Sequence, residues 1–156
     1  MPLKALVFLS SLVFSLGVNA GLTEREKDVF VYDLSLATQG IMVSQFNTGV
    51  NYSLGIGIHK DIEKSVYWYQ EASNQGHSKA PFNLSLIFAG GKEGPKDLML
   101  SKSYLDLAVK RGNEEAKELF KKLISLENEG YETLTALEKI CCPPPILHQQ
   151  VFELKD

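Results

Sequence analysis

The chain has little of what most catalytic chemistry needs. Three histidines and two cysteines stand among its 156 residues, and the cysteines, Cys141 and Cys142, are neighbours. A nucleophile requires a base beside it and a third group to orient that base. His59, His77 and His148 are spread along the chain, the first two expected as solvated loop residues at opposite ends of one helix. Adjacent Cα atoms lie about 3.8 Å apart, below the usual disulfide window, so a bridge between the two cysteines is strained and easily reduced. The pair can otherwise link two chains into a dimer or remain as free thiols. With only His148 nearby, it lacks the second pair of ligands that a metal site requires.

Basic charge is also short. Lys and Arg number 16 against 19 Asp and Glu, a formal net charge of -3, and the basic residues are scattered. No electrostatic footprint for nucleic acid follows. Gly55-Ile56-Gly57 lacks the Lys-Ser/Thr that completes a phosphate-cradling loop, and no strand precedes it. Beyond residue 20 no apolar run reaches the roughly 20 residues of a spanning helix. A hydrophobic share of 44% and a charged share of 22% still provide for a core and argue against extended disorder.

The first segment reads as an export leader. Lys4 precedes an apolar run from Ala5 to Leu16, and Val18-Asn19-Ala20 is a small-residue exit that predicts cleavage after Ala20. Removing residues 1–20 takes away one positive charge, Lys4, leaving -4 where the full chain has -3. The mature protein is expected outside the cytoplasm, periplasmic or secreted.

The main content is a repeat. A shift of 36 residues aligns Phe46 with Phe82, Asn47 with Asn83, Gly55 with Gly91, Lys60 with Lys96, Asp61 with Asp97, Ser65 with Ser101, Ala72 with Ala108 and Gly76 with Gly112, without a gap. Tyr52 falls on Phe88 and Trp68 on Tyr104. Backwards, Gln39-Gly40 falls on Gln75-Gly76 and Tyr32 on Trp68; forwards, Ala80 falls on Ala116. A period of this length marks a solenoid.

Each repeat reads as two antiparallel helices, A and B. In the first, Ser44, Thr48, Gly49 and Tyr52 form the packing stripe of helix A, with small residues where a neighbour comes close. Gly55 stops that helix. Asp61 and Asp97 are placed to N-cap helix B, whose stripe is Ser65, Trp68, Tyr69 and Ala72, and Gly76 and Gly112 close the B helices. Thr23 and Glu26 have capping-box spacing ahead of a helix to about Gln39. A further A-type helix is expected from Glu114 to about Leu126, with Ala116, Phe120 and Ile124 inward. Tyr131, Leu134, Leu137 and Ile140 suggest a short capping helix. Pro143-Pro144-Pro145 ends helix formation.

These residues resemble the Sel-like repeat, a relative of the tetratricopeptide repeat. The elements present are small-x-x-x-[LT]-G-x-x-Y in Ser44 to Tyr52, G-x-G in Gly55 to Gly57, Lys60-Asp61, K-[SA]-x-x-W-Y in Lys64 to Tyr69, and A-[SA]-x-Q-G in Ala72 to Gly76. The second repeat departs from the pattern at Ser85, Glu93 and Leu105. The resemblance covers roughly residues 28 to 126 and implies an all-α fold, an α/α superhelical solenoid of helix-turn-helix repeats. The expected organisation is a leader at 1–20, a half-repeat helix at 21–41, repeats at 42–77 and 78–113, a partial repeat with its capping helix at 114–141 and a Pro-rich tail at 142–156.

The resemblance further implies a non-catalytic scaffold, without cofactor, that binds a protein or peptide on a concave surface lined by A helices. On that surface the expected contact residues are Val43, Phe46, Val50 and Ser53 in the first repeat and Lys79, Phe82, Leu86 and Ala89 in the second. Glu115, Glu118 and Lys122 stand on the third A helix. A narrower version is an exported immunity or inhibitor protein that neutralises a secreted toxin. The opposing class is a cell-wall or β-lactam-directed hydrolase, associated with cysteine-rich exported relatives, and this chain lacks their disulfide per repeat. Asn51-Tyr52-Ser53 and Asn83-Leu84-Ser85 match the glycosylation triplet but fall inside predicted helices.

Overall fold

A computed structural model describes residues 24–90, 94 and 96–141. Every regular element in these residues is an α-helix: α1 over 24–38, α2 Met42–Leu54, α3 Ile62–Asn74, α4 Ala80–Gly90, α5 Leu98–Lys110, α6 Glu114–Asn128 and α7 Thr133–Cys141. Two compact units divide the chain, one up to Ala80 and one from Pro81. The leader, its cleavage site, Thr23, His148 and the Pro-rich tail lie outside the described residues.

In the first unit α2 is helix A and α3 is helix B. Ser44, Thr48, Gly49 and Tyr52 are buried on α2, and Ser65, Tyr69 and Ala72 on α3. The crossing is close because Gly49 has no side chain: a Cβ there would sit 2.7 Å from the Tyr69 ring. At the same crossing the Ser65 hydroxyl donates to the Gly49 carbonyl at 2.8 Å. Trp68 is only half-buried and packs edge-on against the exposed Tyr67, 5.0 Å between centroids. Phe30 of α1 meets Tyr52 of α2 edge to face at 5.3 Å.

The turns are built to one plan. Gly55 ends α2 with a left-handed φ of 75°, its N–H bonded to Asn51 O. The Asp61 N–H then donates to the Tyr52 carbonyl at 2.9 Å while its carboxylate caps α3 by accepting from the Lys64 N–H at 3.0 Å. After α3, Gln75 occupies the cap position and the glycine expected there, Gly76, follows it with a φ of 101°. The helix-B end is the same at Arg111-Gly112. Gln75 also reaches across the unit, its Nε2 donating to the Gly40 carbonyl at 3.0 Å and to Gln45 Oε1 at 2.6 Å.

The second unit repeats the crossing with different side chains. The Ser101 hydroxyl donates to the Ser85 carbonyl at 2.7 Å, the Asp97 N–H to the Phe88 carbonyl at 2.9 Å, and Asp97 caps Leu100 at 2.9 Å. Ser85 stands in the place of Gly49 and Leu105 in that of Tyr69, so a slightly larger helix-A residue is matched by a smaller helix-B one. Leu105, Ala108, Ala116, Leu123, Ala136 and Leu137 form the core of this unit, with Phe82, Leu119 and Phe120 packed against it. The Asn113 side chain caps α6 through the Ala116 N–H at 2.6 Å. Lys96 pairs with Glu138, joining the A–B connection to α7.

Two expectations about this unit are corrected. Leu123, and not Ile124, completes the inner stripe of α6: Leu123 is buried and Ile124 is 42% exposed. At about 100° per residue, seven residues from Ala116 return to within about 20° of its direction, whereas eight overshoot by about 80°. Tyr131 precedes α7 instead of lying on it, and its hydroxyl accepts from Lys139 Nζ at 2.9 Å.

Three measurements follow from the packing. Gly49→Ala forces the buried Tyr69 ring aside and is expected to cost about 1–3 kcal/mol in urea unfolding. With Tyr69→Leu added, imitating the second unit, the pair should cost less than the sum of the single changes. Thr48 is fully buried, and its hydroxyl has no hydrogen-bond partner among the described residues, so Thr48→Val should raise stability by about 1 kcal/mol. The Lys64 N–H and ammonium hold the exposed Asp61 carboxyl below its ordinary 3.8. A carboxylate depressed on folding stabilises above its unfolded value and loses that contribution as pH falls through the folded one. Thermal melts should therefore decline more steeply below about pH 4 in the wild type than in Asp61→Asn, which caps without titrating.

Candidate partner-binding surface

The expected contact residues divide by exposure. On α2, Val43 is 54% exposed and Val50 half-buried, seven residues apart and so on one stripe. Phe46 lies half-buried on the helix-B side, 5.6 Å from Tyr69 and stacked on His77 at 4.1 Å with 19° between the ring planes. Ser53 is also half-buried; its hydroxyl bonds to the Val50 carbonyl at 2.8 Å and lies 3.4 Å from the Tyr69 hydroxyl. Val43 and Val50 thus offer hydrocarbon to solvent, while Phe46 and Ser53 also serve the α2–α3 packing.

In the second repeat Lys79 is exposed and Leu86 is 39% exposed, while Phe82 is half-buried against the core of its unit. Ala89 is fully buried and belongs to the core, not to the surface expected of it. Leu86 occupies the repeat position of Val50, so the same site on two A helices is apolar and open to water. On α6, Glu115, Glu118 and Lys122 are exposed. Glu118 accepts from Lys121 at 2.6 Å, and this contact lowers its pKa and raises that of Lys121.

The histidines differ from each other. His59 is exposed in the loop after α2, as expected, but His77 is half-buried on Phe46. The sequence reading missed this because His77 falls where the next repeat carries Asn113, a capping residue, and nothing in the repeat spacing marks a stacked ring. Asn47 is also spoken for, donating to Asp33 of α1 at 3.3 Å. Asn51 is 8% exposed inside α2, which keeps its glycosylation triplet from an enzyme.

A hollow of about 520 Å³ opens between α1 and the α2–α3 loop, lined by Glu26, Lys27, Phe30, Val31, Gly55, Gly57, Ile58 and His59. Gly57, with a φ of 69°, allows this docking: a Cβ would come within 2.2 Å of the Glu26 carbonyl oxygen. Among its described lining residues there is a histidine but no serine, threonine or cysteine beside it. Among the described residues no cluster of three His, Cys, Asp or Glu side chains is spaced for a metal, and no helix is long and apolar enough to cross a membrane. Cys141 closes α7, and Cys142 lies outside the described residues.

The comparisons with known proteins agree with this geometry. The chain is 27% identical over 140 residues to the ERAD-associated E3 ubiquitin-protein ligase component HRD3B of Arabidopsis thaliana, a match covering 88% of this chain and 23% of that protein. It is 30% identical over 92 residues to the putative sel1-like repeat-containing protein L21 of Acanthamoeba polyphaga mimivirus, covering 49% of this chain and 17% of the other. The chain therefore spans about a fifth of the length of these relatives. A Sel1 repeat protein from Oxalobacter formigenes, solved by crystallography, matches with a TM-score of 0.58 and 26% identity over 69% of this chain and 44% of its own. The fold is an all-α solenoid of helix-turn-helix repeats, and its homologues suggest a scaffold for protein–protein interaction of a generally non-catalytic kind. The Sel1 repeat model matches residues 43–77, 78–113 and 99–128, and with more than half of its length so matched the chain belongs to the Sel1 repeat family.

Proposed function

We propose that this protein is an exported interaction module that binds a partner protein or peptide through its helix-A face, along Val43, Phe46, Val50 and Ser53 in one repeat and Lys79, Phe82 and Leu86 in the next. The observation that carries this reading is the recurrence of Val50 and Leu86: one repeat position, on two A helices, apolar and accessible in both. The packing of each repeat is already satisfied by the buried stripes, so an apolar side chain kept at that position twice is available to a partner. An amphipathic or extended segment is the natural occupant of such a surface. The name of the plant relative, a ligase component, supports a role inside an assembly. The leader read from Lys4 to Ala20 supports delivery outside the cytoplasm.

The test is affinity capture from an envelope or secreted fraction with the full-length gene product, followed by reconstitution with each purified candidate. Val43→Glu and Leu86→Glu should each weaken a true complex by about tenfold or more while leaving the melting temperature unchanged, because both side chains are exposed. Equal affinity of wild type and both variants for every purified candidate sinks the proposal. A secreted enzyme inhibited on binding would identify the immunity version.

A further inference from the structure

The hollow beside α1 is held open by the backbone. Three contacts fix α1 against the rest of the first unit: Asp33 accepts from Asn47 at 3.3 Å, Phe30 meets the Tyr52 ring at 5.3 Å, and Gly57 lies so close to Glu26 that a Cβ would come within 2.2 Å of its carbonyl oxygen. Across from α1, Gly55 and Gly57 line the space with main chain alone, and their φ values of 75° and 69° keep larger residues from taking their places. The walls are thus set by fixed contacts, and two of the loop positions have no side chain with which to fill the space between them. Its volume of about 520 Å³ lies within the roughly 300–1,000 Å³ of pockets that take small molecules.

Nothing in the repeat requires this hollow. Thirty-six residues on, Glu93, Gly94 and Pro95 stand where the first repeat has Gly57, Ile58 and His59, so the bare turn, the branched apolar side chain and the imidazole are particular to one repeat. Phe30 is buried against Tyr52, Ile58 is half-buried and Val31 is 62% exposed. Together they make a wall of hydrocarbon that the scaffold does not use.

Charge decides which class of molecule fits. Lys27 is already paired with Glu24 at 3.4 Å, and Glu26 stands in the first described turn of α1, where the free N–H groups of a helix offset a carboxylate. A charged ligand would give up its hydration for walls with no spare countercharge. Among the described lining residues the remaining polar side chain is that of the exposed His59, and a neutral imidazole offers one donor and one acceptor.

We propose that the hollow is a binding site for a small neutral molecule with an apolar body and one hydroxyl group, the body lying against Phe30, Val31 and Ile58 and the hydroxyl bonded to His59. Neither Val50 nor Leu86 takes part, so the fate of this site is separate from that of the helix-A surface.

The test titrates the purified gene product with N-phenyl-1-naphthylamine, a neutral dye that fluoresces in apolar surroundings, at about pH 8, where an ordinary imidazole is neutral. Saturable binding of one dye per chain is expected, with displacement by 1-naphthol. The corresponding naphthoate and naphthylmethylammonium ions, which place a charge on the same ring, should need concentrations about tenfold higher or more. Val31→Glu should weaken dye and naphthol by about tenfold, and Val31→Ser by less. His59→Ala should weaken naphthol by about fivefold through the lost hydrogen bond, and Leu86→Glu should bind as the wild type does. Residues 31, 59 and 86 are exposed, so these variants should melt with the wild type when no ligand is present, whereas naphthol should raise the melting temperature of the wild type above that of Val31→Glu. Absence of saturable binding, or equal affinity in the wild type and both Val31 variants, overturns the site. Loss of binding in Leu86→Glu also overturns it, assigning the dye to the helix-A surface. Displacement by either ion as readily as by naphthol overturns the neutral class, and unchanged naphthol affinity in His59→Ala overturns the assigned hydrogen bond.

Discussion

A serine hydroxyl on a helix-A carbonyl sets the distance on which the rest of each repeat depends. Ser65 on Gly49 and Ser101 on Ser85 are the same bond 36 residues apart, at 2.8 and 2.7 Å. A hydroxyl this short reaches a main-chain oxygen only where two backbones nearly touch, so the partner on helix A must be small. The bond itself contributes about 1 kcal/mol, but the spacing it accompanies decides which side chains can stand beside it. With glycine at position 49 a tyrosine ring fits at 69; with serine at 85 the neighbour shrinks to Leu105. The two crossings keep one backbone geometry by trading volume across it, as close-packed interiors require.

From that distance the connections follow. Two helices held this close and antiparallel must be joined at fixed points, and the loops are pinned at both ends: Asp61 and Asp97 donate their N–H groups to the end of helix A and cap helix B with their carboxylates. One residue thus ends the connection and starts the next helix, which is why Lys-Asp recurs at Lys60-Asp61 and Lys96-Asp97. The exposed ion pairs scattered over the helices contribute little by comparison. Gln75, bonded to Gly40 and Gln45, ties successive turns of the first unit together, which gives the Gln-Gly pair a physical reason to recur at 39–40 and 75–76.

Much of this was legible in the sequence, because repetition exposes what geometry demands. The helices, the caps at Asp61 and Asp97, the stop at Gly55 and the stripe through Ser44, Thr48, Gly49 and Tyr52 all leave a mark at a period of 36. The misreadings share a cause. Ile124 and Tyr131 lie after the two full repeats, where one residue of register turns a helix position by about 100°. His77 was read as solvated because its stacking on Phe46 is a contact specific to one repeat. The serine hydroxyl bonds were missed for the opposite reason: a small residue on a packing stripe already has an explanation in close approach, and only coordinates show the hydrogen bond it also makes.

The candidate binding surface was less legible than the fold, and the reason is again physical. A repeat constrains what is buried, and burial is what a periodic pattern records; the outer positions are free to differ, so Val43 and Lys79 share a place and no chemistry. What remains readable there is departure from the expected polarity. Val50 and Leu86 are apolar where the buried stripes of the scaffold ask nothing of them. What the packing rules leave unexplained in a protein of this construction is hydrocarbon kept in water, as at Leu86, 39% exposed on a helix A.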